Sequence, residues 1–152
     1  DDGTDLEARA HMMSAATMGA TAFQKGLGAI HSLSHPVGSH YDTHHGLTNA
    51  VFAPYVLQYN RPAIEEPLAR LSRWLELPGE GYQAVLDWIL ELRKRFEIPH
   101  TAAELGVEES CLAELAEMAA KDPTACTNPL PVNKAQMLEV YKAAMIGQLD
   151  GS

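Results

Sequence analysis

Residues 31–46 read HSLSHPVGSHYDTHHG, a stretch that holds five of the seven histidines of the 152-residue chain. The five are His31, His35, His40, His44 and His45. A proline and two glycines (Pro36, Gly38 and Gly46) stand among them. Proline and glycine commonly interrupt helices, so we expect two helices that meet in this stretch. Their meeting point would be rich in histidine.

The spacing of three of these histidines favours a metal site. His31 and His35 are four residues apart, so on one helix they share a face. His45 follows a helix break that we expect at the proline and glycines, and two helices meeting there would bring His31 and His45 together. Neutral imidazole is a common ligand of Zn, Fe, Ni and Cu. The alternative is a group of surface and turn histidines without a ligand. A zinc protease is excluded because Ser32 stands where H-E-x-x-H requires a glutamate.

The rest of the chain has helical periodicity and no run with clean strand alternation, which predicts an all-α fold of six to eight helices. Thr4 or Asp5 caps a first helix with Leu6 and Met13 on one face, and a third helix carries LTNAVFAPYVLQY and ends near Asn60. Pro62 then marks the start of a separate helix, because proline is tolerated in a first turn.

Further capping signals divide the C-terminal half. Thr101 and Glu104 form a capping-box pattern, Asp122 and Pro123 end a helix, and Asn133 caps the last one.

Composition excludes several classes of function. A formal net charge of −9, without a cluster of Lys and Arg beyond residues 93–95, is unfavourable for nucleic-acid binding. Cys111 and Cys126 do not form a C-x-x-C pair, which favours a reducing cytoplasmic compartment. No segment has the length of an apolar membrane span.

The chain opens without Met and enters a helical pattern almost at once, so we expect a fragment of a longer protein.

A longer stretch around the histidines resembles the signature of the iron-containing (group III) alcohol dehydrogenases. Residues 26–60 read GLGAIHSLSHPVGSHYDTHHGLTNAVFAPYVLQYN. They match that family's glycine-rich turn, H-x(3)-H-P-x-G, H-G-x-x-N-A and P-x-V. The similarity continues more weakly to the end of the chain. His44 stands where the family commonly has proline, which leaves two adjacent histidines at the second ligand position; we assign His45, since Gly46 follows it.

The resemblance implies a two-domain enzyme, of which residues 1–152 are the helical metal-binding and substrate domain. The N-terminal domain that binds NAD or NADP is then missing from this chain. Two of the family's four metal ligands map to His31 and His45. The other two ligands of the family form a D-x-x-x-H pair, and no such pair occurs before His31. The glycine-rich motif that binds a dinucleotide is also missing from the sequence. Fe²⁺ is the implied metal, and Zn²⁺ is an alternative.

Roles for the remaining residues follow from the same resemblance. His35 is implied to lie beside the metal, the substrate and the nicotinamide. There we expect it to act in proton relay or ring positioning, with a packing role as the equal alternative. His40 and His44 are expected to face solvent. Lys25 either points into the substrate cleft or is solvated, the second being favoured.

The implied reaction is hydride transfer between an alcohol and the nicotinamide, with alcohols and aldehydes as substrates and a cytoplasmic homo-oligomer as the full-length form. Neither nucleic acid nor membrane is expected as a partner. Alternatives are a glycerol dehydrogenase, a maleylacetate reductase, or a metal-dependent lyase of the dehydroquinate synthase type. A helical interaction module without enzymatic activity is a further alternative.

Overall fold

The computed structural model describes residues 2–149, and every regular element in that range is helical. The predicted all-α fold, with six to eight helices, is therefore confirmed. Six α-helices are present: α1 (Leu6–Ala22), α2 (Gly28–Tyr41), α3 (His45–Trp74), α4 (Gly81–Arg95), α5 (Leu112–Lys121) and α6 (Lys134–Ile146). Short 3₁₀ segments lie at Phe23–Lys25, Ala103–Leu105, Glu109–Cys111 and Pro123–Thr127. Within residues 2–149, no helix is both long and apolar enough to span a bilayer.

Helix α2 forms the centre of the core. Its Leu33 and Val37 are fully buried, and it packs between α3 and α5. The α6 residue Tyr141 is fully buried as well, and its hydroxyl donates to the Leu33 carbonyl oxygen at 2.6 Å. Its ring meets Phe52 of α3 edge to face, with ring centroids 5.4 Å apart. These contacts fix the position of α2, and therefore of the histidines that it carries.

The predicted helix ends are correct where a local cap exists. The Asp5 side chain accepts from the Ala8 N–H at the start of α1. Thr101 and Glu104 bond reciprocally, and Asn133 forms a full capping box at α6. Helix α1 nevertheless buries none of its residues, so its apolar positions are exposed within residues 2–149.

Two predicted helix breaks are wrong. Helix α2 continues through Pro36 and Gly38, and the break lies instead at 42–44, where Asp42 adopts left-handed backbone angles with φ 51°. Helix α3 runs on without a new start at Asn60 and Pro62. Asn60 caps nothing there, because its side chain exchanges two hydrogen bonds with Asn128 at 2.9 and 2.7 Å. Tertiary packing of α3 outweighs the local cost of an internal proline, about 3 kcal/mol.

Candidate metal centre

The Nε2 atoms of His31 and His45 converge on one point. His31 lies on α2 and His45 is the first residue of α3, and Asn49 lies one turn further along α3. The Asn49 Nδ2 atom is 3.1 Å from Nε2 of His31 and 3.0 Å from Nε2 of His45. With the amide nitrogen in this position, Asn49 donates and both Nε2 atoms accept. The two ring nitrogens therefore point at the same place.

One buried polar atom beside this point, Oδ1 of Asn49, has no hydrogen-bond partner among the described residues. A buried polar group without a partner costs about 1–3 kcal/mol, and such groups persist mainly where function requires them. The Asn49 oxygen is therefore a further polar atom at this point that is free to bind a group outside residues 2–149.

Electrostatics favour the metal-binding form of His31. Desolvation by burial lowers the pKa of His31 below its usual range, and repulsion from His45 and His35 lowers it further. The Leu27 backbone and Asp122 oppose these effects without reversing them. A lowered pKa keeps the imidazole neutral, and a neutral imidazole is the form that binds metal.

His35 lies against both of the other histidines. Its ring is stacked on that of His45, with centroids 5.6 Å apart and planes at 19°, and its centroid is 5.8 Å from that of His31. Its Nδ1 is 2.8 Å from Oδ2 of Asp122, at the C-terminal end of α5. Burial raises the pKa of Asp122, but hydrogen bonds from Thr124 and His35 lower it by more, so the carboxylate stays ionised.

These residues fit part of a metal site. Two converging imidazole nitrogens, beside a buried amide oxygen without a hydrogen-bond partner, are donors of the kind that transition metals bind. Within residues 2–149, however, no three His, Cys, Asp or Glu side chains are placed to hold one ion. Glu7 and His11 have a four-residue spacing, but they form an exposed pair on α1 at 3.7 Å. The part of the chain that the structure describes thus brings two imidazole nitrogens together at this point.

His40, His44 and Lys25, which the sequence analysis also considered, do not contribute to the point where His31 and His45 converge. His40 is exposed, and exposed His44 caps α3 by accepting from the Leu47 N–H at 3.3 Å. Lys25 is exposed and lines a groove of about 380 Å³ with Gly28 and Asn60, away from the histidine rings.

The glycine-rich turn is a packing device. Gly26 has φ +108°, and a Cβ there would lie 2.3 Å from the Thr127 Cβ. Gly28 has φ +66°, and its N–H donates to the Thr127 hydroxyl at 3.1 Å. The next N–H, of Ala29, donates to Asn128 Oδ1. The start of α2 is therefore capped by residues 99 positions away, which requires a bare backbone at the turn.

The sequence did not predict three of the polar side chains that shape the site. Asn49 and Asn128 were part of matched or loop segments without an assigned role, and Asp122 was interpreted as a helix end. Each of the three also has a partner 18 to 99 residues away on another element. No local pattern indicates such contacts.

Comparison with known proteins gives a consistent result. A family model described as "Fe-containing alcohol dehydrogenase family, C-terminal" matches residues 1–145. A 4-hydroxybutyrate dehydrogenase from Cupriavidus necator is 37% identical over 95% of this chain and 40% of its own length. A 1,3-propanediol dehydrogenase from Citrobacter freundii is 32% identical over 93% of this chain and 38% of its own. The chain thus spans about 40% of the length of these relatives.

Solved structures agree with the sequence comparison. The crystal structure of a 1,3-propanediol oxidoreductase superposes with a TM-score of 0.88 at 31% identity, over 94% of this chain and 39% of that one. A maleylacetate reductase from Rhizobium sp. superposes with a TM-score of 0.64 at 30% identity, over 80% and 33%.

Proposed function

Because the chain belongs to the iron-containing alcohol dehydrogenase family, we propose that it is the helical metal-binding part of a nicotinamide-dependent alcohol dehydrogenase. The observation that carries this proposal is the convergence of the His31 and His45 Nε2 atoms on one point. In this proposal the coenzyme and the remaining metal ligands are supplied by a segment outside these 152 residues.

The proposed chemistry divides between the metal and the chain. His31 and His45 would hold the metal, for which we propose Fe²⁺ with Zn²⁺ as the alternative. When bound, such an ion acts as a Lewis acid that lowers the pKa of an alcohol hydroxyl and polarises the carbonyl oxygen in the reverse reaction. His35, in contact with both ligands, would orient the substrate hydroxyl or the nicotinamide ring.

The choice of coenzyme and substrate is open to direct assay. The relatives include an NAD-dependent methanol dehydrogenase from Bacillus methanolicus and an NADPH-dependent butanol dehydrogenase from Clostridium saccharobutylicum. We therefore propose short alcohols and diols as substrates, with either coenzyme. We further propose a cytoplasmic homo-oligomer, supported by two free cysteines and by exposed apolar side chains such as Trp74 and Phe96.

A second candidate is a reductase of the maleylacetate type, favoured by the superposition on that enzyme. The smaller covered share and the lower TM-score rank it behind the alcohol dehydrogenases.

The proposal is tested with the full-length enzyme, loaded with Fe²⁺ or Zn²⁺ and incubated with NAD⁺ or NADP⁺ and a panel of short alcohols and diols. We expect alcohol-dependent reduction of the coenzyme, and a loss of about 100-fold or more in His31→Ala and His45→Ala. Oxidation of NADH by maleylacetate, without alcohol oxidation, would establish the second candidate. Full activity of both variants would refute the metal assignment.

A further inference from the structure

The two carboxylate oxygens of Asp122 form hydrogen bonds with different parts of the chain. Oδ1 accepts from the Thr124 N–H at 2.8 Å and from the Thr124 hydroxyl, in the turn that follows α5. Oδ2 is 2.8 Å from Nδ1 of His35, on α2. The turn holds the Asp122 carboxylate in place, and the carboxylate in turn holds the orientation of the His35 ring.

The chemistry of this contact determines the tautomer of His35. An ionised carboxylate has no proton to donate, so His35 Nδ1 is the donor. In a neutral imidazole, a proton on Nδ1 leaves Nε2 as a lone-pair acceptor, and Nε2 lies on the side of the ring away from Nδ1. The Asp122 side chain is 15% exposed and that of His35 is 38% exposed. The carboxylate is thus enclosed, while the ring that it holds remains accessible.

The position of the ring makes this orientation relevant to the site. The His35 ring stacks on that of His45 and meets the His31 ring edge to face. Within residues 2–149, no side chain or backbone group forms a hydrogen bond with Nε2 of His35. An acceptor without a partner therefore lies next to the two proposed metal ligands.

We propose that Asp122 is a positioning residue that holds His35 in its Nδ1–H tautomer, so that Nε2 is available to accept a hydrogen bond from the substrate hydroxyl. This inference rests on the proposed function for the identity of the substrate group. The tautomer itself does not depend on that function.

The tautomer is measured directly by ¹⁵N NMR of the histidine rings in this chain, with His35→Gln identifying the signals. In the wild-type chain we expect His35 Nδ1 to be protonated and Nε2 to be unprotonated. Asp122→Asn retains an oxygen for the Thr124 turn but presents an amide donor to Nδ1, so the ring should change to the Nε2–H tautomer. Thr124→Val removes a hydroxyl bond from the same carboxylate, and the wild-type tautomer should persist.

Kinetics of the full-length enzyme provide the second measurement. Asp122→Asn should lower kcat by about 10- to 100-fold with unchanged metal content, and Asp122→Glu should recover part of the loss. Circular dichroism of each variant establishes that the helical fold is retained.

The outcomes separate the inference from the proposed function. An Nε2–H tautomer in the wild-type chain overturns the inference even if Asp122→Asn does not fold, and so does an unchanged tautomer in a folded Asp122→Asn chain. A kcat loss in Asp122→Asn no larger than that in Thr124→Val would also overturn it, because the turn alone would then account for the effect. If the wild-type full-length enzyme oxidises no alcohol, the proposed function fails whatever tautomer is found.

Discussion

His31 and His45 lie on different helices and direct their Nε2 atoms at a single amide nitrogen, at 3.1 and 3.0 Å. The backbone produces this meeting by ending α2 at Tyr41 and starting α3 at His45, with Asp42 in the left-handed region between them. The two helices that carry the rings pack against each other, so the fold itself brings the two nitrogens together.

The first prediction distinguishes His35 from the two proposed ligands. In the full-length enzyme, His31→Ala should remove both metal and activity. His35→Ala should lower turnover and leave most of the metal, because Nε2 of His35 is not one of the two nitrogens that converge at the Asn49 amide. Metal content by atomic emission, measured beside kcat, checks this. An equal loss of metal in the two variants would make His35 a ligand. His40→Ala, at an exposed position of the same helix, is the control.

A second prediction concerns the isolated chain. It should bind Zn²⁺ weakly, because two imidazoles leave most of the coordination to water, and it should not reduce NAD⁺ in the presence of alcohol. Since burial lowers the pKa of His31, this ligand should protonate only below pH 6.5, its ordinary value, and any binding should fade there. Calorimetry across pH 5–8 measures the effect. Tight one-to-one binding that His31→Ala abolishes would show that the chain holds a complete site.

The sequence predicted what local chemistry determines. The caps at Asp5, Thr101 and Asn133 were identified because each bonds within three residues. The approach of His31 to His45 was anticipated from their spacing across a helix break. Neither result requires knowledge of distant contacts.

The rest depends on contacts between distant parts of the chain. The start predicted at Pro62 is absent because Asn60 binds Asn128, 68 residues away, instead of capping a helix. The role of Asp122 was missed for the same reason, since His35 lies 87 residues before it. Local rules identify Asp122 as a helix end, and nothing in the neighbouring sequence indicates that it also binds His35.

The third prediction tests the close approach at the glycine turn. Gly26→Ala combines an unfavourable positive φ with a clash against Thr127, so it should lower the free energy of unfolding by about 3 kcal/mol. Gly19→Ala is the matched control, because its Cβ would meet nothing within 4 Å inside helix α1. We expect that change to be neutral or stabilising by up to about 1 kcal/mol. Urea unfolding measures both, and equal effects would contradict the packing argument.

A fourth prediction concerns the buried tyrosine. Tyr141→Phe removes the hydroxyl bond to the Leu33 carbonyl and should lower the free energy of unfolding by about 1 kcal/mol, or the Tm by about 3 °C. Tyr59→Phe is the control, because its bond to the Pro131 carbonyl is at the surface and should be worth less. Thermal unfolding monitored by circular dichroism compares them. A larger loss in Tyr59→Phe would show that burial does not determine the strength of these bonds.

The last prediction uses Glu117, a carboxylate of α5 that forms ion pairs with two lysines. Hydrogen bonds from Lys121 and Lys134 to Glu117, together with their charges, lower the pKa of Glu117 from 4.5 to about 2. The unfolded chain therefore takes up this proton first as the pH falls, so the stabilisation is complete above pH 4.5 and is lost as the pH falls toward 2.

Glu117→Gln lacks this contribution at every pH. Wild-type chain should accordingly have the higher Tm at pH 6, and the gap should close between pH 4.5 and pH 2. Glu117 and both lysines are exposed, so the difference in Tm between wild type and Glu117→Gln should be small. High salt should reduce this difference further. Glu114→Gln, at another exposed glutamate of α5, is the control for the loss of one negative charge from this helix. A gap for Glu117→Gln that stays constant from pH 6 to pH 2 would mean that these lysines do not hold the carboxylate in its charged form.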